Sequence, residues 1–157
     1  MTLAGSPVPA PGSVGIHYAL NEFRDTTGLT AAWETETADV WLLRSADHIE
    51  LEFGLIHSPG DIAGTVLLAP VWRWPFREDR YFVNFRLGPL LITERTFGES
   101  DIGGHLHFSS KLSLGRRFGA DLRHGVAFEI SHISNGNLDK PNPGLDMIGL
   151  TYSLFSN

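Results

Sequence analysis

The sequence predicts an all-β chain closed into an eight-stranded antiparallel transmembrane β-barrel. Three observations predict it: a two-residue alternation of bulky apolar with small or polar side chains in eight stretches, clusters of turn formers between them, and no helix-period apolar spacing sustained over three turns.

The stretches lie near 14–20, 27–36, 48–57, 64–75, 80–93, 104–118, 122–134 and 145–155. Alternate residues of a strand point to opposite faces. In the third stretch Ile49, Leu51, Phe53 and Leu55 oppose Glu50, Glu52, Gly54 and Ile56. In the fifth, Tyr81, Val83, Phe85 and Leu87 oppose Phe82, Asn84 and Arg86. The seventh sets Val126, Phe128, Ile130, His132 and Ser134 against Ala127, Glu129, Ser131 and Ile133. The last sets Asp146, Ile148, Leu150, Tyr152 and Leu154 against Gly149, Thr151 and Ser153. One face is bulky and apolar; the other is small or carries opposite charges such as Glu50, Glu52, Glu129, Arg73 and Arg86. That second face suits the narrow polar interior of a small transmembrane barrel, and Trp72, Trp74, Tyr81 and Tyr152 suit its aromatic girdles. A soluble barrel carrying a lipid inside would need the opposite arrangement, with the bulky face inward.

The chain reads as one domain over 14–157 behind a flexible tail over 1–13, rich in Pro, Ala and Gly. The tail has neither a basic start nor a long apolar run, so it is not an intact signal peptide. Nowhere are there the roughly eighteen consecutive apolar residues of a spanning helix. A net charge of −6 without a basic stripe excludes a nucleic-acid partner. The absence of cysteine removes thiolate nucleophiles, disulfides and Cys-based zinc sites together.

Chemistry concentrates in HISNGNLDKPNPGLD, residues 132–146. His132 and Ser134 are two apart, hence on one face and roughly 6.6–6.8 Å apart along the strand. A turn of Asn, Gly and Pro follows and the next strand returns antiparallel. A register that sets Asp146 opposite His132 brings its carboxylate to the far ring nitrogen. A serine hydroxyl becomes a competent nucleophile when an imidazole takes its proton, and a carboxylate holds that imidazole in the right tautomer. Three polar groups on an otherwise apolar face are costly unless they pair. Asn135, Asn142 and the backbone of Gly136 are candidate donors to an oxyanion, and the sequence does not choose among them.

This segment, with Met147-Ile148-Gly149-Leu150-Thr151-Tyr152-Ser153 after it, resembles the carboxy-terminal signature of the PagL family of lipid A 3-O-deacylases. The family's His-x-Ser-Asn falls on His132, Ser134 and Asn135, and its Pro-Asn-x-Gly turn on Pro141, Asn142 and Gly144. The match is specific over about 25 residues; Ala69-Pro70-Val71 and the stretch from Gly103 to Phe108 resemble the family more loosely. The resemblance implies an integral outer-membrane barrel that hydrolyses the 3-position ester of lipid A, with lipopolysaccharide and membrane lipids as partners and no metal or organic cofactor. It also carries Glu where this chain has Asp146, one methylene shorter.

With both termini periplasmic, the 76–80 and 119–121 connections fall on the periplasmic side and the 94–103 and 135–144 loops outside, which puts His132, Ser134 and Asp146 at the external rim. The connection near 37–47 is longer than this scheme prefers. His105 and His107, two apart, form a metal-ligand pair only with a third partner; lining of the interior is the plainer expectation. Glu129 and Ser131 face away from His132 and read as interior structure. Lys140, Lys111 and Arg95 are the basic residues on hand for lipid phosphates, without forming an evident clamp. A non-catalytic structural or adhesive barrel with a decayed site is the alternative function, and a homodimer is an open assembly state.

Overall fold

The computed structural model describes residues 12–20, 25–36, 45–97 and 100–155. The tail expected over 1–13 therefore lies outside the described residues up to position 11, as does most of the long 37–47 connection. Among the described residues ten strands follow in order: β1 (Gly12–Ala19), β2 (Thr27–Glu36), β3 (His48–Ser58), β4 (Asp61–Phe76), β5 (Tyr81–Ile92), β6 (Thr96–Phe97), β7 (Ser100–Asp101), β8 (Leu106–Phe118), β9 (His124–Ser134) and β10 (Leu145–Leu154). Eight of them close into an antiparallel barrel in the order β1-β10-β9-β8-β5-β4-β3-β2. Closure leaves no sheet edge, which is the condition for strands to cross a bilayer. The pair β6–β7 is a separate small hairpin inside the connection from β5 to β8, where the alternation predicted only a loop.

The alternation has the sense expected of a membrane barrel. Ile16 (66% exposed), Leu55 (55%), Leu114 (57%) and Leu150 (67%) point outward, whereas Glu50, Glu129, Arg86 and Lys111 are nearly inaccessible inside. The lipid-carrier arrangement is thereby reversed. Water would not tolerate a continuous outer band of large aliphatic side chains; a bilayer requires one.

Polar groups inside a narrow barrel must pair with one another. Arg86 bridges Glu50 at 3.0 Å and Glu129 at 2.7 Å. Lys111 holds Glu52 at 2.6 Å and lies 3.7 Å from Glu129. Nearer the end where β1 begins and β10 finishes, Arg73 binds Glu34 at 2.7 Å and the Asn84 carbonyl at 3.0 Å. His17, which has no constellation in sequence, lies 3.7 Å from Glu129. Lys111 is thus an interior counter-ion and not a candidate for lipid phosphate.

Phe155 follows β10 and turns into the lumen, edge-on to Phe82 and beneath the guanidinium groups of Arg117 and Arg73 at 3.9 and 5.0 Å. Cation–π contacts of this kind let an apolar ring share a charged interior. On the outer surface of the same end stand Trp74, Phe76, Tyr81, Phe118 and Tyr152, with Phe76 stacked on Tyr81 and His124 bonded to the Tyr152 hydroxyl at 2.7 Å. Trp72 lies at this end too, tilted against Phe85. Three of the four expected girdle residues, Trp74, Tyr81 and Tyr152, thus sit in this band, and the fourth borders it.

The β4–β5 ladder is interrupted between the pairs Leu67↔Leu90 and Val71↔Arg86, yet the register on either side is unchanged. Pro70 and Pro89 fall in that gap and have no N–H to donate. The tight β3–β4 turn brings the start of β4 to Asp61, three residues before the alternation becomes visible.

Candidate active site

One end of the barrel gathers the connections 20–26, 59–60, 93–105 and 135–144; the aromatic band lies at the other. The pairing of β9 with β10 places Asp146 directly opposite His132. His132 Nδ1 and Asp146 Oδ1 are 2.6 Å apart, and both side chains are about half exposed on the outer face. Since a carboxylate accepts, the proton of this bond sits on Nδ1, and Nε2 is left as the free lone pair. Ser134 lies two residues further along the same strand, half-buried, and pairs with Phe108 of β8. The register therefore brings all three predicted residues to one corner of the rim. Among the described residues no hydrogen bond joins the Ser134 hydroxyl to His132.

From Val126, level with Tyr152 in the aromatic band, to Ser134 the strand rises eight residues. At roughly 3.4 Å per residue and a tilt near 40° this is about 20 Å along the membrane normal, close to the height of an outward apolar band. The corner thus lies at the opposite margin of the outward apolar band from the aromatic residues. Below it His132 and Asp146 line an open groove of about 330 Å³ with Phe85, Leu112 and Ile130, enough for part of an acyl chain.

The loop after Ser134 is built around Asn135, whose side chain is fully buried. Its Nδ2 donates to the carbonyls of Gly103 at 2.8 Å and Asp139 at 2.9 Å, with Pro141 and Ile102 at 3.3 and 3.4 Å. Its Oδ1 accepts from the Asn137 N–H at 2.8 Å, and its own N–H donates to Asn142 Oδ1 at 3.0 Å. Every donor of Asn135 is therefore engaged within the 93–105 and 135–144 connections. The turn itself spans Asn135 to Leu138, closed by an N–H···O bond of 3.1 Å, with Gly136 and Asn137 at positive φ as in a type I′ turn. The Gly136 N–H has no acceptor among the described residues.

Two glycines are dictated by close approach. A Cβ at Gly103 would lie 2.0 Å from the Pro141 carbonyl oxygen, so the connection from β5 to β8 touches the 135–144 loop through bare backbone. A Cβ at Gly144 would stand 3.0 Å from His132 Cε1 and 3.8 Å from Nε2, and φ there is +71°. Gly144 thus clears the side of the imidazole that carries the free lone pair. The Gly103 N–H also donates to Asp101 at 2.7 Å, and this bond, seconded by Arg95, holds the Asp101 carboxyl below its ordinary range.

Because Asn135 clamps both loops, its replacement by Ala strands several buried carbonyls at a cost of about 1–3 kcal/mol for each group left unsatisfied. The Asn135→Ala chain is expected to keep the heat-modifiable gel mobility of a closed barrel while limited proteolysis cuts 93–105 and 135–144 faster. Unchanged loop protection would remove Asn135 from this role.

Other expectations fare differently. His105 and His107 do not share a site: His105 is exposed and bonds the Ile92 carbonyl, while His107 is buried and bonds the Gly104 carbonyl. No group of three or more His, Cys, Asp or Glu able to hold a metal occurs among the described residues. Arg95 is occupied by Asp101 at 3.3 Å and Asp139 at 3.8 Å, and Lys140, next in the chain after Asp139, is exposed. Sequence reasoning missed His107 and Gly103 as parts of this corner; the Gly103-Gly104 pair was the available signal of a close backbone approach.

Two curated relatives named lipid A deacylase PagL are each 26% identical: one from Bordetella bronchiseptica, covering 92% of this chain and 84% of its own, and one from Pseudomonas aeruginosa, covering 94% and 82%. The crystal structure of the outer membrane enzyme PagL superposes with a TM-score of 0.72 at 19% identity, over 94% of this chain and all of that one, and so shares the fold. The family model for lipid A 3-O-deacylase (PagL) matches residues 14–155, nearly the whole barrel. The chain belongs to the PagL family of lipid A 3-O-deacylases.

Proposed function

We propose that this acyl hydrolase is a serine esterase of the outer membrane, cleaving the 3-position acyl ester of lipid A from the external leaflet, with Ser134 as nucleophile, His132 as base and Asp146 as the group that orients it. The observation that carries the reading is the 2.6 Å bond between His132 and Asp146 on an outward rim, two residues from a serine on the same face. Packing alone does not favour a paired carboxylate and imidazole there.

The chemistry follows from the orientation of the ring. Asp146 accepts a hydrogen bond from Nδ1–H and keeps the proton on that nitrogen, so Nε2 receives the Ser134 proton as the oxygen attacks the ester carbonyl. The substrate arrives laterally, acyl chain in the groove below and sugar at headgroup level. The bond from the acyl carbon to the sugar oxygen breaks, and His132 gives its proton to that oxygen, which departs as a hydroxyl and leaves an acyl-Ser134 ester behind. Water then attacks that ester, giving its proton to Nε2, and the fatty acid leaves as Ser134 recovers the proton. The Ser134–His132 hydrogen bond forms with substrate in place, as in other enzymes whose catalytic contacts tighten on binding.

Of the three oxyanion candidates, the free Gly136 N–H and the Asn142 Nδ2 are the donors available to the substrate. The Asn142 amide has its oxygen tied by the Asn135 N–H, and its Nδ2 makes one long bond of 3.5 Å to Asn137 Oδ1, which leaves its second N–H for the substrate. Asn135 itself acts through Asn142 and is a positioning residue. All these groups belong to one chain, so the reading does not depend on a second copy.

The test is mass spectrometry of lipid A after incubation with the purified chain in mixed micelles: loss of one 3-linked acyl group is expected from the parent and not from Ser134→Ala. No conversion by a fully folded parent would favour the non-catalytic barrel instead. Asp146→Ala is expected to lower turnover about 10²- to 10⁴-fold, the scale of losing the tautomer. Asp146→Glu is expected to cost less than the roughly 10²-fold that a misplacement near 1 Å produces, because the side chain stands on an open rim with room to adjust. Equal, complete loss in both would mean that Asp146 is not an orienter.

A further inference from the structure

A lipid-facing serine esterase must obtain its second reactant, water, although the acyl chain and the bilayer close the outer side. We infer that the protein supplies it from within, through a water site between His107 and Ser134 on the barrel side of the nucleophile. The inference rests on the reading of Ser134 as the acylated residue.

His107 is 2% exposed, and its Nε2 lies 3.1 Å from the Gly104 carbonyl. A carbonyl only accepts, so the ring proton is on Nε2 and Nδ1 is a bare acceptor. That Nδ1 is buried and has no partner among the described residues. An imidazole nitrogen in this condition is costly unless something donates to it. His107 borders a cavity whose other walls include Ser134, Asn142, Gly144 and the apolar Ile102 and Ile133. The cavity leaves about 10 Å³ for the centre of a water molecule, at the lower limit for holding one and too little for any larger ligand. Among its walls His107 Nδ1 is an open acceptor for such a water, and the polar residues Asn142 and Ser134 border the same space.

The same cavity touches Gly144, the residue that clears the Nε2 side of His132. A water donating one hydrogen to His107 Nδ1 is therefore stored beside the acyl ester, within a short step of the base. In deacylation its oxygen bonds to the acyl carbon and its second hydrogen passes to His132 Nε2. The tetrahedral adduct then collapses, the bond to Ser134 Oγ breaks, and Oγ takes the proton from His132. The products are the free fatty acid and the starting hydroxyl, with no other reactant. His107 holds the water and takes no proton.

The experiment uses the full chain in mixed micelles with lipid A, following fatty-acid release and, by intact-protein mass, the acyl adduct on the enzyme. In His107→Phe, which lacks the acceptor and fills the space, the first acylation is expected to proceed as in the parent. Steady turnover should fall at least tenfold, and the adduct should accumulate on Ser134. Hydroxylamine, a nucleophile that does not depend on the stored water, should discharge that adduct and restore turnover. His107→Gln, whose amide can donate to Gly104 and accept from water, is expected to recover most of the rate. Equal slowing of acylation and deacylation, or undiminished turnover without an adduct, would overturn the water site. If His107→Phe fails to fold, as judged by heat-modifiable mobility, Ile102→Met offers a second way to fill the cavity and must give the same adduct. Failure of the underlying reading looks different: a Ser134→Ala chain that still releases fatty acid.

Discussion

Ser134→Ala is expected to reduce release of the 3-linked acyl chain by about 10⁴- to 10⁶-fold, and His132→Asn by a similar factor, because members of one catalytic unit fail together. The combined variant should be no slower than either alone, which distinguishes a shared chemical step from two independent contributions. Neither residue carries structure. Ser134 and His132 sit on the outer face at the rim, outside the interior ion network, and the His132 ring bonds only Asp146 among the described residues. Both variants are therefore expected to fold, which heat-modifiable mobility would check, and to bind lipid A with little change, since the groove below is formed by Phe85, Leu112 and Ile130. Retained conversion by either folded variant would end the assignment.

The barrel was legible because a strand's period is fixed by geometry and the bilayer fixes which face is apolar. Residues 27–36 and 145–154 alternate without a break, and their predicted bounds nearly coincide with β2 and β10. The Asp146–His132 register was legible only as a condition: a hairpin that leaves β9 at Ser134 and enters β10 at Leu145 allows few pairings, and one residue of slip would turn Asp146 into the barrel. By contrast β6 and β7 have two residues each, too short for any period to appear. The start of β4 was obscured because Asp61 and Gly64 interrupt the alternation beside a tight turn.

The supporting residues of the site were less legible, for a different reason. Asn135 stands next to the nucleophile, so chemistry suggested an oxyanion donor; burial and four carbonyls around its amide make it a clamp instead. The partners that decide this, Gly103 and Ile102, lie more than thirty residues away, and no local pattern announces them. His107 follows the same rule. Paired with His105 in sequence it suggests a metal, whereas the strand begins between them, at Leu106, and sends His107 inward alone. Lys111, read in the sequence as one of the basic residues on hand for phosphate without an evident clamp, points from β8 into the lumen and meets Glu52 of β3 there.

The interior network carries the second large expected effect. Arg86 lies between Glu50 and Glu129, all three nearly inaccessible, and no other cation is bonded to Glu50 among the described residues. Arg86→Leu would leave one carboxylate stranded and another held only by Lys111 and His17 at 3.7 Å. Breaking a buried pair from one side costs about 3–5 kcal/mol, a large share of the roughly 5–15 kcal/mol that holds a domain folded. The expected result is a marked loss of folded, heat-modifiable barrel on refolding into micelles and a lower urea midpoint. Removing the stranded charge as well, in Arg86→Leu with Glu50→Gln, should recover most of the stability, since the penalty arises from the unpaired carboxylate and not from the missing arginine. Equal instability of the single and double variants would mean that Arg86 acts by filling volume. The consequence reaches the rim: Glu129 is on the inner face of β9, three residues before His132, so the ion pair that closes the lumen also fixes the strand that presents the base. A partly folded Arg86→Leu barrel should for that reason lose deacylase activity in proportion to its folded fraction, while each folded molecule keeps the parent's turnover.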